Sequence, residues 1–326
     1  MCGSRLMNTS GLHNLTRLLV LLAALAAGSC GKQTAKSTTA PSAISTNPDI
    51  IRLATYNIRN YNSINRRIEG EFKPDWPKPE AEKTAVRKVI LAAHADILAL
   101  EEMGPGQELA ELQRDLAAEG LTYSCTALVN GPDPDRHVAL LSRVPLSGVH
   151  RREYISYKFG GSEKQVSRGL LEVDVVTNNR RWALYVVHLK SRLTESQDDP
   201  QSAAQREGEA RVLRDIVRQE QPLAQGALVA VAGDFNDARD STPLKRFLDL
   251  DGKPLFRIAP SADSRGETWT SSYGREDEYD RSDYILLSAS RTPLQKGPGG
   301  IADIPASLEG SDHRLVWVDL EFSAAK

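Results

Sequence analysis

Cysteine is nearly missing from this chain: among 326 residues only Cys2, Cys30 and Cys125 are cysteine. Two of these fall in the first thirty residues, so Cys125 stands alone in the rest and an internal disulfide framework is excluded there. The paired Cys and His spacing of a structural zinc site is absent as well. No apolar run approaches the ~20 residues that span a bilayer. Positive charge is not in excess, with 41 Lys and Arg against 43 Asp and Glu. Four of the bases (Arg5, Arg17, Lys32, Lys36) and none of the acids precede residue 49, which leaves the remainder near −6. Proteins that grip nucleic acid through many phosphates tend to be basic, so this balance argues against tight, non-specific binding of a polyanion. No internal repeat is visible. What remains is 40% apolar and 26% charged, the composition of a folded domain with its own core.

The N-terminus is organised like a targeting segment. Arg5 and Arg17 precede the uninterrupted apolar stretch Leu18 to Ala27, and the small residues Gly28 and Ser29 lead into Cys30. This order resembles the lipobox of bacterial lipoproteins, in which the cysteine is lipidated and becomes the mature N-terminus. Ala27 departs from it, since that family prefers Leu there. The resemblance implies export and a membrane anchor at Cys30; a plain cleaved signal peptide is the alternative. Residues 31–48 are mostly Ser, Thr, Ala, Pro and other polar side chains, with Ile44 the one large apolar residue, and read as a disordered tether. The expected organisation is therefore a leader over 1–30, a tether over 31–48 and one domain over 49–326.

Within the domain, short β-rich runs alternate with amphipathic stretches. Strands are expected at Ile51–Ile58, Ile97–Leu100, Val138–Leu141, Leu170–Val176, Trp182–Leu189, Ala227–Ala232, Tyr284–Leu287 and Leu315–Phe322. Glu80–His94 carries Val86, Val89, Ile90 and Ala93 at helical spacing, and Glu108–Ala118 carries Leu109, Leu112 and Leu116. Gln205–Arg218 and Leu244–Leu250 complete the expected helices. Helices interspersed among more numerous strands suggest sheets packed face to face with helices outside.

Polar residues recur at the ends of these apolar strands: Asn57 after IRLATY, Glu102 after DILALE, His188 after WALYVV, Asp234 and Asn236 after ALVAVAG, Asp283 before YILL, and Asp312 and His313 before RLVWV. Each has an ordinary explanation as a turn former, a cap or a solvated charge. Together they form a set with a shared chemistry. Carboxylates and an amide suit a hard cation such as Mg²⁺, and histidines exchange protons near neutral pH.

The motifs TYNIRN, ADILALEEM, VVHLKS, GDFND, RSDYILL and GSDHRLVWVDL, in this order, resemble the endonuclease/exonuclease/phosphatase superfamily, over residues from about 50 to 322. The resemblance implies a four-layer α/β/β/α sandwich of two mixed sheets flanked by helices. It implies Glu102 as the main ligand of a Mg²⁺ or Mn²⁺ ion, with Asn57 and Asp312 beside it. His313 is implied as general base, oriented by Asp283; Asp234 and Asn236 position the water, and His188 contacts the phosphate. Arg59 and Arg168 fall where secreted deoxyribonucleases carry phosphate-contacting arginines, and Lys190 and Arg192 are weaker candidates for the pocket.

The resemblance fixes the reaction better than the substrate. Nucleic acid is favoured by the NIRN motif, by His188, and by VVHLKS followed by an Arg-rich helix. Met103, Gly104 and Pro105 depart from the family, standing where pancreatic-type enzymes carry a DNA-contacting arginine, and the disulfides of those enzymes are missing. A lipid phosphodiesterase of the sphingomyelinase type or a small-molecule phosphatase is the alternative, and an idle binding module of the same fold is the non-enzymatic one. Trp76 and Trp182 look isolated, so no exposed aromatic cluster for a lipid interface is expected. A monomer is expected.

Overall fold

A computed structural model describes residues 50–322 apart from 195, 275 and 291–294. The leader, the tether and Cys30 lie outside the described residues, which all fall within one compact unit.

Thirteen strands form two sheets. The first runs in the order Ser261–Ala262, Gly299–Ile301, Val316–Glu321, Ile50–Tyr61, Ile97–Met103, His137–Ser142, Cys125–Val129. The second runs Phe256–Ile258, Asp283–Ser288, Val229–Asp234, Arg180–His188, Leu170–Thr177, Leu146–Arg152. Both are mixed. Ile50–Tyr61 lies parallel to Ile97–Met103 and antiparallel to Val316–Glu321. Arg180–His188 lies parallel to Val229–Asp234, which is antiparallel to Asp283–Ser288.

Side-chain alternation divides the core into three layers. Ile51, Leu53, Ile97 and Ala99 face Leu184, Val186, Ala230, Ala232, Ile285 and Leu287 between the sheets. The intervening Ala54, Tyr56, Ile58, Leu98 and Leu100 pack outward on α1 (Glu80–Ala93) and α2 (Gly106–Ala118). On the other side Tyr185, Val187, Val231 and Leu286 pack on α3 (Ala203–Glu220) and α4 (Thr242–Leu248). The result is the four-layer α/β/β/α sandwich. Each fully buried Val or Leu contributes roughly 1.5–3 kcal/mol to holding the layers together.

Helices follow their sequence signals. Val86, Val89 and Ile90 are the buried face of α1, whose first turn carries Glu80 and Glu82 at the positive end of the dipole. Leu109, Leu112 and Leu116 are the buried face of α2. The strands reach further than the apolar runs. The first continues from Ile58 to Tyr61 through Arg59 and Asn60, both at positive φ, with a register shift against its neighbour. Two hairpins stand apart from the main sheets at the edge that matters for function, Ser63–Ile68 with Glu71–Pro77 and Ser271–Tyr273 with Glu278–Asp280.

Candidate active site

The site arises where the inward-facing rows run out of apolar residues. On the first strand the row Ile51, Leu53 continues as Thr55 and Asn57; on the parallel neighbour Ile97, Ala99 continues as Glu101. In the second sheet Leu184, Val186 leads to His188, Ala230, Ala232 leads to Asp234, and Leu287, Ile285 leads to Asp283. Because a strand alternates with period two, all of these side chains point into the same inter-sheet space at one edge. Asn57, Glu101, His188, Asp234 and Asp283 are buried there. Polar groups so enclosed must satisfy one another.

They do so in part, through a connected network that leaves Glu101 Oε2, His188 Nδ1 and Asp283 Oδ1 without partners. The Asn57 amide donates to Asp234 Oδ2 at 3.0 Å and, at 3.5 Å, to Glu102 Oε1. The backbone N–H of Asn236 donates to Asp234 Oδ1 at 2.7 Å, while the Asn236 amide holds the Leu189 carbonyl at 3.0 Å. His188 Nε2 lies 3.7 Å from Asp234 Oδ2 and His313 Nε2 lies 3.9 Å from the same oxygen. His313 Nδ1 is hydrogen-bonded to Asp283 Oδ2 at 2.8 Å. Asp283 is fixed in turn by Ser282 Oγ, which donates to it at 3.0 Å, and by its own N–H on Thr270 Oγ1 at 3.1 Å.

The surroundings give the two histidines opposite characters. Burial, aided by Arg168 and His313, drives the His188 pKa well below its ordinary value, so this imidazole is neutral. Burial would lower His313 too, but Asp283, Asp234 and Asp312 outweigh it and hold this imidazole well above its ordinary value. Burial and the neighbouring Asp283 push the Asp234 carboxyl up to about 7. The raised Asp234 carboxyl and the raised His313 imidazole thus face each other across 3.9 Å.

Above this floor opens a cleft of about 680 Å³ lined by Glu102, Asp312 and His313, by the cations Arg59, Arg136, Arg168 and Lys190, and by Asp133 and Ser167 among others. Glu102 is held at φ 58°. Its Oε2 accepts from the Asn60 N–H at 3.0 Å and lies 3.8 Å from Arg136 Nε. Arg59 Nε is 3.5 Å from Asp312 Oδ2. Arg168 is almost entirely buried, with Nη2 on Asp133 Oδ2 at 3.2 Å and with Nε and Nη1 unpartnered.

Every candidate from the sequence except Arg192 therefore borders this floor or cleft. Arg192 turns instead to Asp280, at 2.5 Å, and to the Asn236 carbonyl. Sequence reasoning overlooked Arg136, which stands immediately before the apolar strand His137–Ser142, the same signal that exposed the others. It also overlooked Glu101, the residue beside Glu102 that actually continues the inward row; Thr55 Oγ1 donates to it at 2.8 Å. Burial, with Asp283 next, pushes the Glu101 carboxyl well above the usual carboxylate range.

Among the described residues the one tight group of His and carboxylate donor atoms, all within 4.8 Å, is Asp234, Asp283 and His313. It differs from the ligand set Asn57, Glu102 and Asp312 implied by the resemblance. His313 Nδ1 is already committed to Asp283, so this group is a hydrogen-bonded His–Asp pair with Asp234 3.9 Å from the other ring nitrogen. Asn57 is engaged at both polar atoms, its Oδ1 accepting from the Arg59 N–H at 3.0 Å, which makes it a bridge between Glu102 and Asp234. Glu102 and Asp312 offer carboxylate oxygens on the cleft wall. An all-oxygen, doubly negative donor set fits a hard divalent cation.

The rim departs from expectation in one respect. Phe72 (63% exposed) and Trp76 (43%) stand on the first hairpin, Tyr273 (50%) and Tyr279 (58%) on the second. The first hairpin is tied to the cleft by Arg66 Nη2, bonded to the Asn60 and Asn62 carbonyls. The second is tied to it by the Ser272 N–H on the Asp312 carbonyl at 2.9 Å. Each of the two hairpins beside the site thus carries two exposed aromatics. The sequence hid this because the two hairpins that border the cleft lie some two hundred positions apart in the chain.

Comparison with known proteins agrees with this geometry. The model of the Endonuclease/Exonuclease/phosphatase family matches residues 54–313. Among solved structures, a mutant of beta toxin from Staphylococcus aureus with bound magnesium ions superposes with a TM-score of 0.60 at 12% identity, covering 82% of this chain and 98% of that one. An endonuclease/exonuclease/phosphatase family protein from Leptotrichia buccalis gives 0.58 at 14% identity, covering 83% and 100%. The human Nocturnin catalytic domain with a bound sulfate anion gives 0.55 at 20% identity, covering 84% and 95%. At such identities the likeness is one of fold. No curated protein matches the sequence.

Proposed function

The chain belongs to the endonuclease/exonuclease/phosphatase family, and from that premise we propose that it hydrolyses phosphodiester bonds with the help of Mg²⁺ or Mn²⁺, nucleic acid being its first substrate. The observation that carries this reading is the pair of half-buried His313 and buried Asp283 at a cleft lined by four cations. Asp283 holds the proton-bearing Nδ1 side of the ring, which leaves Nε2 to take a proton from an attacking water. Asp234, between the two imidazoles, orients that water and steadies the charge His313 gains. Neutral His188 donates from Nε2 toward a phosphate oxygen or the departing oxygen. Arg59, Arg136, Arg168 and Lys190 offset the charge on the non-bridging oxygens. Glu102 and Asp312 would hold the cation, which supplies Lewis-acid stabilisation when bound.

Nucleic acid is placed first because the cations are concentrated in the cleft, whatever the net charge of the whole chain. Arg136 beside Glu102 adds an arginine to the cleft, although Met103, Gly104 and Pro105 depart from the pancreatic-type pattern. The magnesium ions bound in the beta toxin mutant and the sulfate bound in Nocturnin are consistent with a site for a cation and an anionic ester. The exposed Phe72, Trp76, Tyr273 and Tyr279 support a second reading, a lipid phosphodiester presented at a membrane surface. Assays of DNA, RNA, sphingomyelin and a phosphomonoester side by side, with Mg²⁺ or with EDTA, separate these. Nucleic acid turnover alone supports the first reading; sphingomyelin turnover with intact nucleic acid replaces it with the second; no phosphoester turnover at all overturns both.

A further inference from the structure

We infer that Arg206 and Glu209, on the Arg-rich helix α3, form a clamp that positions the cationic wall of the cleft although neither lines it. Both side chains are buried. They stand three residues apart, so they share a face of the helix. Glu209 Oε1 accepts from the Ser167 N–H at 2.9 Å and from the Ser167 hydroxyl at 2.8 Å, and Oε2 accepts from the Lys190 N–H at 2.7 Å. Arg206 Nη1 donates to the Lys190 carbonyl at 3.2 Å and to the Gln201 carbonyl at 2.8 Å, and Nε donates to Asp237 Oδ2 at 2.8 Å. Both backbone polar groups of Lys190 therefore end on side chains of α3.

Three stretches of chain meet at this clamp, and each carries a residue of the site. Ser167 adjoins Arg168, Lys190 follows His188 by two residues, and Asp237 follows Asn236. The helix can approach this closely because residue 208 is glycine: a Cβ there would lie 2.6 Å from the Tyr157 ring, on the segment leading to Ser167. A buried carboxylate accepting three hydrogen bonds has little freedom to move, so it fixes the backbone that aims Arg168 and Lys190 into the cleft. Arg168 lines the cleft from this position, its Nη2 on Asp133 Oδ2 at 3.2 Å and its buried Nε and Nη1 without partners. Arg206 and Glu209 are positioning residues, since they reach the substrate only through others.

The inference rests on the phosphodiester reading for the identity of the substrate, and on geometry for the rest. The test uses the full chain carrying Glu209→Gln, whose amide sets a donor against a donor, or Arg206→Lys, which cannot serve the carbonyls and Asp237 together. KM and kcat are measured on bis(p-nitrophenyl) phosphate, and inorganic phosphate binding is followed by calorimetry. KM should rise about tenfold with kcat within about threefold, the pattern of lost uniform binding, and phosphate should bind more weakly by a similar factor. Ser167→Ala, which removes one of the three bonds to Glu209, should shift KM the same way by less and serves if the buried variants do not fold. Variants that melt earlier but keep wild-type KM and phosphate affinity would overturn the clamp, as would a fall in kcat at unchanged KM. A wild-type protein without diesterase activity whose phosphate binding is still weakened by Glu209→Gln would sink the phosphodiester reading and leave the clamp standing.

Discussion

His313 and His188 are both imidazoles at the floor of one cleft, yet their surroundings drive them apart. Three carboxylates raise His313, whereas burial and Arg168 lower His188. In an NMR titration of the metal-free protein, His313 should therefore titrate above the ordinary imidazole value of about 6.5 and His188 below it. Asp283→Asn should bring His313 down. The sign for stability follows: the raised His313 stabilises the fold fully below about pH 6.5, and that contribution is lost as pH climbs through its folded value. Catalysis runs the other way, since a general base must be unprotonated, so kcat/KM should rise over the same interval. His313→Ala and Asp234→Ala should fold and lose on the order of 10²-fold or more in kcat. Glu102→Ala should weaken Mn²⁺ binding measured by calorimetry; unchanged affinity would remove Glu102 from the metal site.

Among the elements, strand alternation did most to make the site legible. Asn57, His188, Asp234 and Asp283 could be picked out because each terminates an apolar run, and period two places them on one face without further information. The hairpins were not legible, because Ser63–Ile68 and Glu71–Pro77 are largely solvated on both faces and carry no apolar alternation. Glu101 rather than Glu102 continues the inward row by the same alternation, and Glu102 stands at φ 58° where the register of its strand slips. Glu209 was invisible for another reason: its partners Ser167 and Lys190 are distant in sequence, and only packing reveals them. The strand Val229–Asp234 carries a further constraint. Gly233 has φ 147°, and a Cβ there would lie 1.9 Å from the Val187 carbonyl oxygen. Gly233→Ala should cost about 2–4 kcal/mol in urea unfolding, through strain and overpacking, and a neutral result would contradict this close approach.

For the molecule as a whole, the negative balance of the domain and the cationic lining of the cleft are compatible, because charge acts locally over about 8–10 Å at physiological ionic strength. Substrate KM should rise with salt, as expected when fixed cations meet a phosphodiester. The proposed anchoring at Cys30 is tested by Cys30→Ser, which should move the protein from the membrane to the soluble fraction of expressing cells; unchanged fractionation would remove the anchor from the proposal. The most direct test of the central proposal is nicking of supercoiled plasmid by the purified protein in Mg²⁺, with EDTA and His313→Ala as controls. Nicking that depends on the metal and disappears in His313→Ala is the expected result. Nicking that persists in EDTA, or in His313→Ala at the wild-type rate, would contradict it.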